Sequence, residues 1–297
     1  GMILYNSCVG VMQSVGDSKH PLYFLIASSC VNVVLDILFV AYFHMNVEGA
    51  ALATIISQFL SVILCLYLLL NTNESHRVHL SKIRIHADVG KEILEMGIPT
   101  GVQNSLISIS NVVVQSNINT FGSLAMAGIG TYTKIEGFAF LPITSFMMAL
   151  TTFVSQNRGA REFDRARKGA RFGLTCSVSL AEIIGLLIAL FAEPLMRLFA
   201  NDPQVIQYGV ERAHYATILF FLLAYSHGVS AVLRGVGKSM VPMIVMLVCW
   251  CFVRVTLLTT LNMIFHNIIF VYMIYTFTWA LSSVVFFLYY RKINWQE

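Results

Sequence analysis

The chain alternates long apolar runs with short polar turns, and the runs are too long and too uniformly apolar for a soluble core. Stretches near twenty residues read as membrane-spanning helices. Met2–Val15 is a partial run of this kind. Eight full ones come after it: Leu22–Phe43, Gly49–Leu70, Ile93–Asn119, Gly128–Val154, Phe172–Ala192, Val205–Leu233, Val241–Phe265 and Ile268–Tyr290. Glycine and proline within the runs, as in Gly97-Ile98-Pro99-Thr100-Gly101 and at Pro142, fit close helix contacts and kinks.

The runs fall into two related sets. Val11-Met12-Gln13-Ser14-Val15-Gly16-Asp17-Ser18-Lys19-His20-Pro21 returns as Val232-Leu233-Arg234-Gly235-Val236-Gly237-Lys238-Ser239-Met240-Val241-Pro242. At this one offset of 221 residues Val11, Val15, Gly16, Ser18 and Pro21 have identical partners, and Leu60-Ser61 later matches Leu281-Ser282. The offset spans six runs, an even number, so both copies share one orientation. Extrapolated back, the first set should begin about 130 residues earlier than this chain does. The expected fold is an all-α integral membrane protein of two six-helix bundles related by a parallel repeat. The first bundle is incomplete here, with about nine of twelve spans present. Residues 1–72 form the C-terminal part of the first bundle, 73–92 a polar cytoplasmic linker, and 93–297 the second bundle.

Charge fixes the orientation. Of the 19 Lys and Arg residues, 15 lie in alternate loops, from Lys19 through the cluster Arg158–Arg171 to Arg291 and Lys292. The opposite loops hold Arg197 alone, and Lys134, Arg212 and Arg254 fall within spans. Positive residues stay cytoplasmic, which places both repeat turns and the C-terminus inside. Only 11% of residues are charged and mean hydropathy is +0.73, against about 25% charged in a soluble domain. The basic loop Ser155–Arg171 has helical spacing between two spans, which suits lipid headgroups rather than nucleic acid. The six cysteines sit in apolar runs without metal-site spacing and read as packing residues, so no cofactor is expected. His-Glu-x-x-His, Gly-x-Ser-x-Gly and phosphate-loop patterns are absent, which argues against an enzyme.

The polar residues inside spans carry the candidate chemistry. An ionised carboxylate there costs roughly 2.5–3.5 kcal/mol, so Asp36 is expected to face a cavity. Asn32 lies one turn earlier on the same face. Asp36 sits about 10 Å and Thr54 about 8 Å from the outer ends of their antiparallel helices. A carboxylate, an amide oxygen and a hydroxyl at one level suit Na⁺ or a proton relay. Asp36 has a competing structural role, satisfied by neighbouring hydroxyls, and Thr54 can instead bond its own backbone. Lys134 and Glu136, two apart on a helix, point to nearly opposite sides, one toward a cavity and the other toward a packing partner. Gln103, Asn104 and Asn111 make Ile93–Asn119 unusually polar, as a cavity-lining helix or one bonded to its neighbours would be. Arg254, near mid-span, partners a buried acid or faces a cavity.

These residues also carry a resemblance. Val15–Pro21, Asn32-Val33-Val34-Leu35-Asp36 and Gly49-Ala50-Ala51-Leu52-Ala53-Thr54 resemble the fourth to sixth helices of multidrug and toxic compound extrusion (MATE) transporters of bacterial type. Gly97-Ile98-Pro99, Lys134-Ile135-Glu136, Thr152–Ala160, Leu233–Gly237 and Arg254 continue it in order along the whole chain. The resemblance implies a Na⁺- or H⁺-coupled antiporter, monomeric in the cell (inner) membrane, that exports small organic and often cationic compounds. It also implies that Asn32, Asp36 and Thr54 match cation- or proton-binding positions, holding Na⁺ if coupling is to sodium. Glu136, Lys134, Gln103, Asn104, Asn111 and Arg254 would line the substrate cavity or relay. One departure bears on coupling: relatives of the sodium-coupled branch often carry an acid well inside the helix corresponding to Ile93–Asn119. Here that helix has only Glu95 at its start, and Leu257 stands at the repeat position of Asp36. Coupling is therefore expected in the first bundle. A lipid-linked oligosaccharide flippase of the same superfamily is the alternative, and a membrane enzyme or receptor fits the duplication poorly.

Overall fold

The computed structural model describes residues 1–72, 76–82, 84 and 86–295; parts of the expected linker (73–75, 83 and 85) lie outside the described residues. All regular structure among the described residues is helical. Two compact units divide the chain, Gly1–His86 and Ala87–Glu297.

The first unit holds α1 (Met2–Ser14), α2 (Lys19–Asp36), which widens into a π-helical segment over Ile37–Tyr42, and α3 (Asn46–Asn71). α1 and α2 both pack on α3, and Cys8, Met12, Cys65 and Leu69 form the small core. The second unit holds α4 (Ala87–Asn119), α5 (Ser123–Gly159), α6 (Phe163–Leu190), the short α7 (Ala192–Arg197), α8 (Pro203–Thr217) and α9 (Phe220–Gly235). α10 (Met240–Met246), a second π-helical segment Leu247–Val253, α11 (Arg254–Phe265) and α12 (Ile268–Arg291) complete it. Its main core joins α5, α6, α8, α9 and α12 around Tyr132, Leu150, Leu174, Phe220 and Trp279. Among the described residues six helical stretches are long and apolar enough to cross a bilayer, and a seventh forms if α8 and α9 count as one bent span. The chain is a multi-pass membrane protein, and the large exposed side chains such as Phe138, Phe172 and Leu190 suit a lipid surround.

The repeat is visible in the backbone. α1 ends at Ser14 and α9 at Gly235; α2 starts at Lys19 and α10 at Met240; α3 starts at Asn46 and α12 at Ile268. Each boundary recurs at the 221-residue offset to within one residue. Gly16 and Gly237 close the first helix of each copy in the left-handed region, at φ 87° and 81°. Both closures use the same bonds: the Gly16 and Gly237 amides donate to Gln13 and Arg234, and those of Asp17 and Lys238 to Met12 and Leu233. This crossed pair is the glycine-dependent Schellman closure of a helix. Beyond the glycine the copies differ. Asp17 Oδ1 accepts from the Lys19 and His20 amides at 3.2 Å each, capping α2, whereas Lys238 has no acceptor to offer.

The run Val205–Leu233, expected as a single span, is two helices meeting at 55°. Side chains from neighbouring helices take over the ladder at the break. Thr276 Oγ1 donates to the Tyr215 carbonyl at 3.0 Å, and Glu182 Oε2 accepts from the Phe221 amide at 3.0 Å. In a straight helix these groups would pair with Leu219 and Thr217. Insertion of side chains into the ladder is an ordinary cause of a sharp kink. Close approach of α6 depends on Gly185, where a Cβ would stand 2.2 Å from the Thr217 carbonyl oxygen. Gly185→Ala should therefore lower the thermal unfolding midpoint of the detergent-solubilised protein, corresponding to about 1–3 kcal/mol of overpacking. Gly130→Ala, which would meet nothing within 4 Å, should leave the midpoint unchanged or slightly raised.

Candidate functional site

In the first unit, α2 and α3 bring Asn32 and Thr54 to one cavity of about 270 Å³, lined also by Tyr5, Ser28, Ser57 and Gln58. Asp36 is not among its lining residues. It stands one turn beyond Asn32 as the last residue of α2, where the helix widens into its π-helical segment. Such widenings often mark functional positions because they displace the local ladder. Asp36 Oδ1 and Asn32 Nδ2 are buried and have no hydrogen-bond partner among the described residues. Thr54 Oγ1 donates to the Ala50 carbonyl at 2.9 Å. That bond uses the hydroxyl proton and leaves oxygen lone pairs free to accept. The cavity thus gathers Asn32 and Thr54, while the Asp36 carboxylate stands outside its lining. Among the described residues no cluster of three or more His, Cys, Asp or Glu could hold a metal ion.

In the second unit the polar residues separate by face. Glu136, half-buried on α5, accepts from the Tyr132 hydroxyl one turn earlier at 3.3 Å. Lys134 points elsewhere, with Nζ 6.0 Å from the centroid of Phe199. The opposed directions expected from their spacing are what α5 shows. Arg254 is 2% exposed, and its Nε and Nη2 donate to Thr278 Oγ1 at 3.1 and 2.9 Å. Its guanidinium carbon lies 4.5 Å from the Tyr275 ring centroid and 5.1 Å from that of Trp250. Arg212, 3% exposed, stands 4.3 Å from the same Tyr275 ring and donates to the Tyr272 carbonyl at 2.9 Å. Glu136 is the acid within electrostatic reach of both arginines, yet no ion pair closer than 4.0 Å among the described residues includes it. Aromatic faces and hydroxyls, rather than carboxylates, hold these two charges.

α4 is two-sided. Gln103 is buried and donates to the Met246 sulfur, and Ser110 Oγ donates to the Trp250 carbonyl at 2.8 Å, where α10 widens. Ser239 Oγ donates at 3.2 Å to the Glu95 carbonyl, which Pro99 leaves without its helical donor. The other face carries Asn104, Ser108, Asn111 and Gln115 in helical register, all exposed. Gly97 and Gly101 extend that stripe and meet open space. So Gln103 belongs to the packing side of α4, and Asn104 and Asn111 to the open side.

Arg212, Tyr132, Tyr275 and Glu182 are functional-site neighbours that sequence reasoning missed. The signal for Arg212 and Glu182 was present, a charge inside an apolar run. Tyr132, one turn before Glu136, gives only a faint one, and Tyr275 has no acid or arginine within a turn of it in the sequence.

The MatE family model matches residues 99–260. The probable multidrug resistance protein YoeA of Bacillus subtilis is 28% identical over 255 residues, 82% of this chain and 54% of that protein. The probable multidrug resistance protein NorM of Thermotoga maritima is 27% identical over 239 residues, 79% of this chain and 51% of its own length. The FAD transporter of Shewanella oneidensis is 25% identical over 202 residues, covering 66% and 44%. The chain spans about half the length of the curated relatives it matches. A MATE crystallised with MaL6 shares the fold with TM-score 0.91 at 19% identity, over 98% of this chain and 66% of that one. A MOP superfamily transporter of Pyrococcus furiosus, described as having a binding pocket of reverse polarity, gives 0.90 at 20% identity, over 97% and 65%. The polar-faced α4, the Lys134–Glu136 segment and Arg254 all lie inside the matched region, and with more than half of its length covered the chain belongs to the MatE family, the multidrug and toxic compound extrusion transporters.

Proposed function

We propose that the protein is a cation-coupled antiporter that exports small organic, often cationic, compounds across the cell membrane as a monomer, with its C-terminus in the cytoplasm. The observation that carries this reading is the buried carboxylate oxygen Asp36 Oδ1, which has no hydrogen-bond partner among the described residues and stands at the π-helical widening of an apolar span. A buried carboxylate without a partner is costly, and binding one Na⁺ or one proton removes that cost. Binding and release of the ion would then tip the span between two arrangements, and export is driven by the ion's gradient. Thr54 contributes a neutral oxygen from α3.

Substrate recognition is assigned to α4 and α5. Asn104 and Asn111 offer neutral hydrogen-bonding groups on an open helix face, and Glu136 offers the nearest accessible negative charge. Arg254, Arg212 and Gln103 position Glu136 and the neighbouring aromatic rings rather than touch substrate. Lys134 sets an outer cationic rim. A second reading, export of an anionic compound, draws on the two arginines facing one acid and on the FAD transporter among the relatives. It ranks second because both guanidiniums are already buried against aromatic faces.

Ethidium efflux from membrane vesicles under separately imposed Na⁺ and H⁺ gradients tests coupling. Asp36→Asn should abolish gradient-driven efflux with expression intact, while Asn32→Ala and Thr54→Ala should slow it less. Wild-type efflux by the Asp36 variant would move the coupling site elsewhere. Glu136→Gln should raise the KM for ethidium about tenfold, the usual worth of a charged contact in a low-dielectric site, with a smaller effect on a neutral substrate. Unchanged cation KM alongside accelerated transport of an anionic dye would favour the second reading.

A further inference from the structure

The start of α6 and the end of α12 meet in a cavity of about 370 Å³ lined by Arg167, Arg171, Tyr290, Arg291, Ile293 and Trp295. Both helices are membrane-spanning, and these are the ends at which they leave the bilayer. Arg167 and Arg171 lie one turn apart on one face of α6, and both act electrostatically on the Tyr290 phenol. Arg291 closes the third side as the last residue of α12. None of the three takes part in an ion pair closer than 4.0 Å among the described residues.

This concentration of charge opposes the local helix dipole. Arg165 falls within the first turn of α6, where the positive end of the dipole disfavours a cation, and Arg167, Lys168 and Arg171 follow within the next two turns. Mutual repulsion and the dipole together favour an anion between the guanidiniums. Guanidinium forks match phosphate oxygens in a bidentate manner. The remaining walls are not those of a site for a free ion. Tyr290 and Trp295 pack edge-to-face at 6.2 Å and lean on the main core with Ile293. Amphipathic rings at a span end mark the headgroup level of a bilayer. The cavity therefore offers three cations for a phosphate and an aromatic, aliphatic wall for what is attached to it.

We propose that this cavity binds the phosphate of an anionic phospholipid at the membrane surface, with Arg167, Arg171 and Arg291 as phosphate ligands and Tyr290 and Trp295 flanking the glycerol and upper acyl chains. The site is separate from the transport reading and stands whatever the substrate is. Native mass spectrometry of the detergent-purified protein, titrated with dioleoyl phosphatidylglycerol or dioleoyl phosphatidylcholine, tests it. Phosphatidylglycerol should be retained about tenfold better, because both lipids offer a phosphate but only phosphatidylcholine adds a choline cation, which the three arginines repel. R171Q/R291Q should lose that preference, and R171K/R291K should keep only part of it, since lysine preserves charge but not the fork. R161Q/R165Q, which removes two nearby charges outside the cavity, should keep it. Inorganic phosphate at the lipid's concentration should leave the adducts in place. Equal retention of the two lipids by the wild-type protein, or an equal loss in R161Q/R165Q, would overturn the proposal in favour of diffuse attraction. Displacement by inorganic phosphate would overturn the assignment to lipid.

Discussion

The Tyr215 carbonyl has lost its helical donor, and the hydroxyl of Thr276 replaces it. The same kind of substitution recurs at other irregular points of the second unit. Within a bilayer no water is at hand to satisfy a freed backbone group, so a neighbouring side chain must do it. Ser239 serves the carbonyl released by Pro99, Ser110 the one at the π-helical widening, and Glu182 the Phe221 amide at the start of α9. Each repair comes from a different helix, so each also fixes which helices are neighbours. The kinks that shape the unit and the contacts that hold it together are the same set of bonds.

The arginines obey a related rule. Arg212 and Arg254 sit where a carboxylate partner would be the obvious choice, yet they rest on Tyr275, Trp250 and Tyr132 and bond to Thr278 and a backbone carbonyl. A ring quadrupole attracts a cation without neutralising it. Glu136 thereby stays near both guanidiniums without a close ion pair among the described residues, holding only the Tyr132 hydroxyl. A direct ion pair would have been worth little beyond its desolvation cost.

Much of this fold was legible in the sequence. Runs of twenty apolar residues bounded by turns located every long helix, and the repeated signature located two equivalent closures, down to Gly16 and Gly237. Glu136 and Lys134 separated as their spacing required. What periodicity could not reveal was how the apolar run Val205–Leu233 divides, because no proline or glycine marks the break. The cause lies in Thr276, Glu182 and Gly185, on two other helices. The same limit applied to Arg254: its position in a span signalled importance, but aromatic rings rather than an acid proved to be its partners. The grouping of Arg167 and Arg171 with Arg291 was equally hidden, since about 120 residues separate them in the chain and only the fold brings the start of α6 and the end of α12 to one cavity.

The twin turns lead into helices of different chemistry. Asp17 caps α2 and Asp36 ends it, whereas Lys238 and Leu257 occupy the matching places in the second copy, and Leu257 lines an apolar groove. Backbone geometry at the turn tolerates little but glycine, because a side chain at φ near +85° is strained. Positions further along each helix face no such filter. Duplication has thus left two copies whose turn architecture is held by glycine, while the chemistry of the helices that follow has been free to diverge.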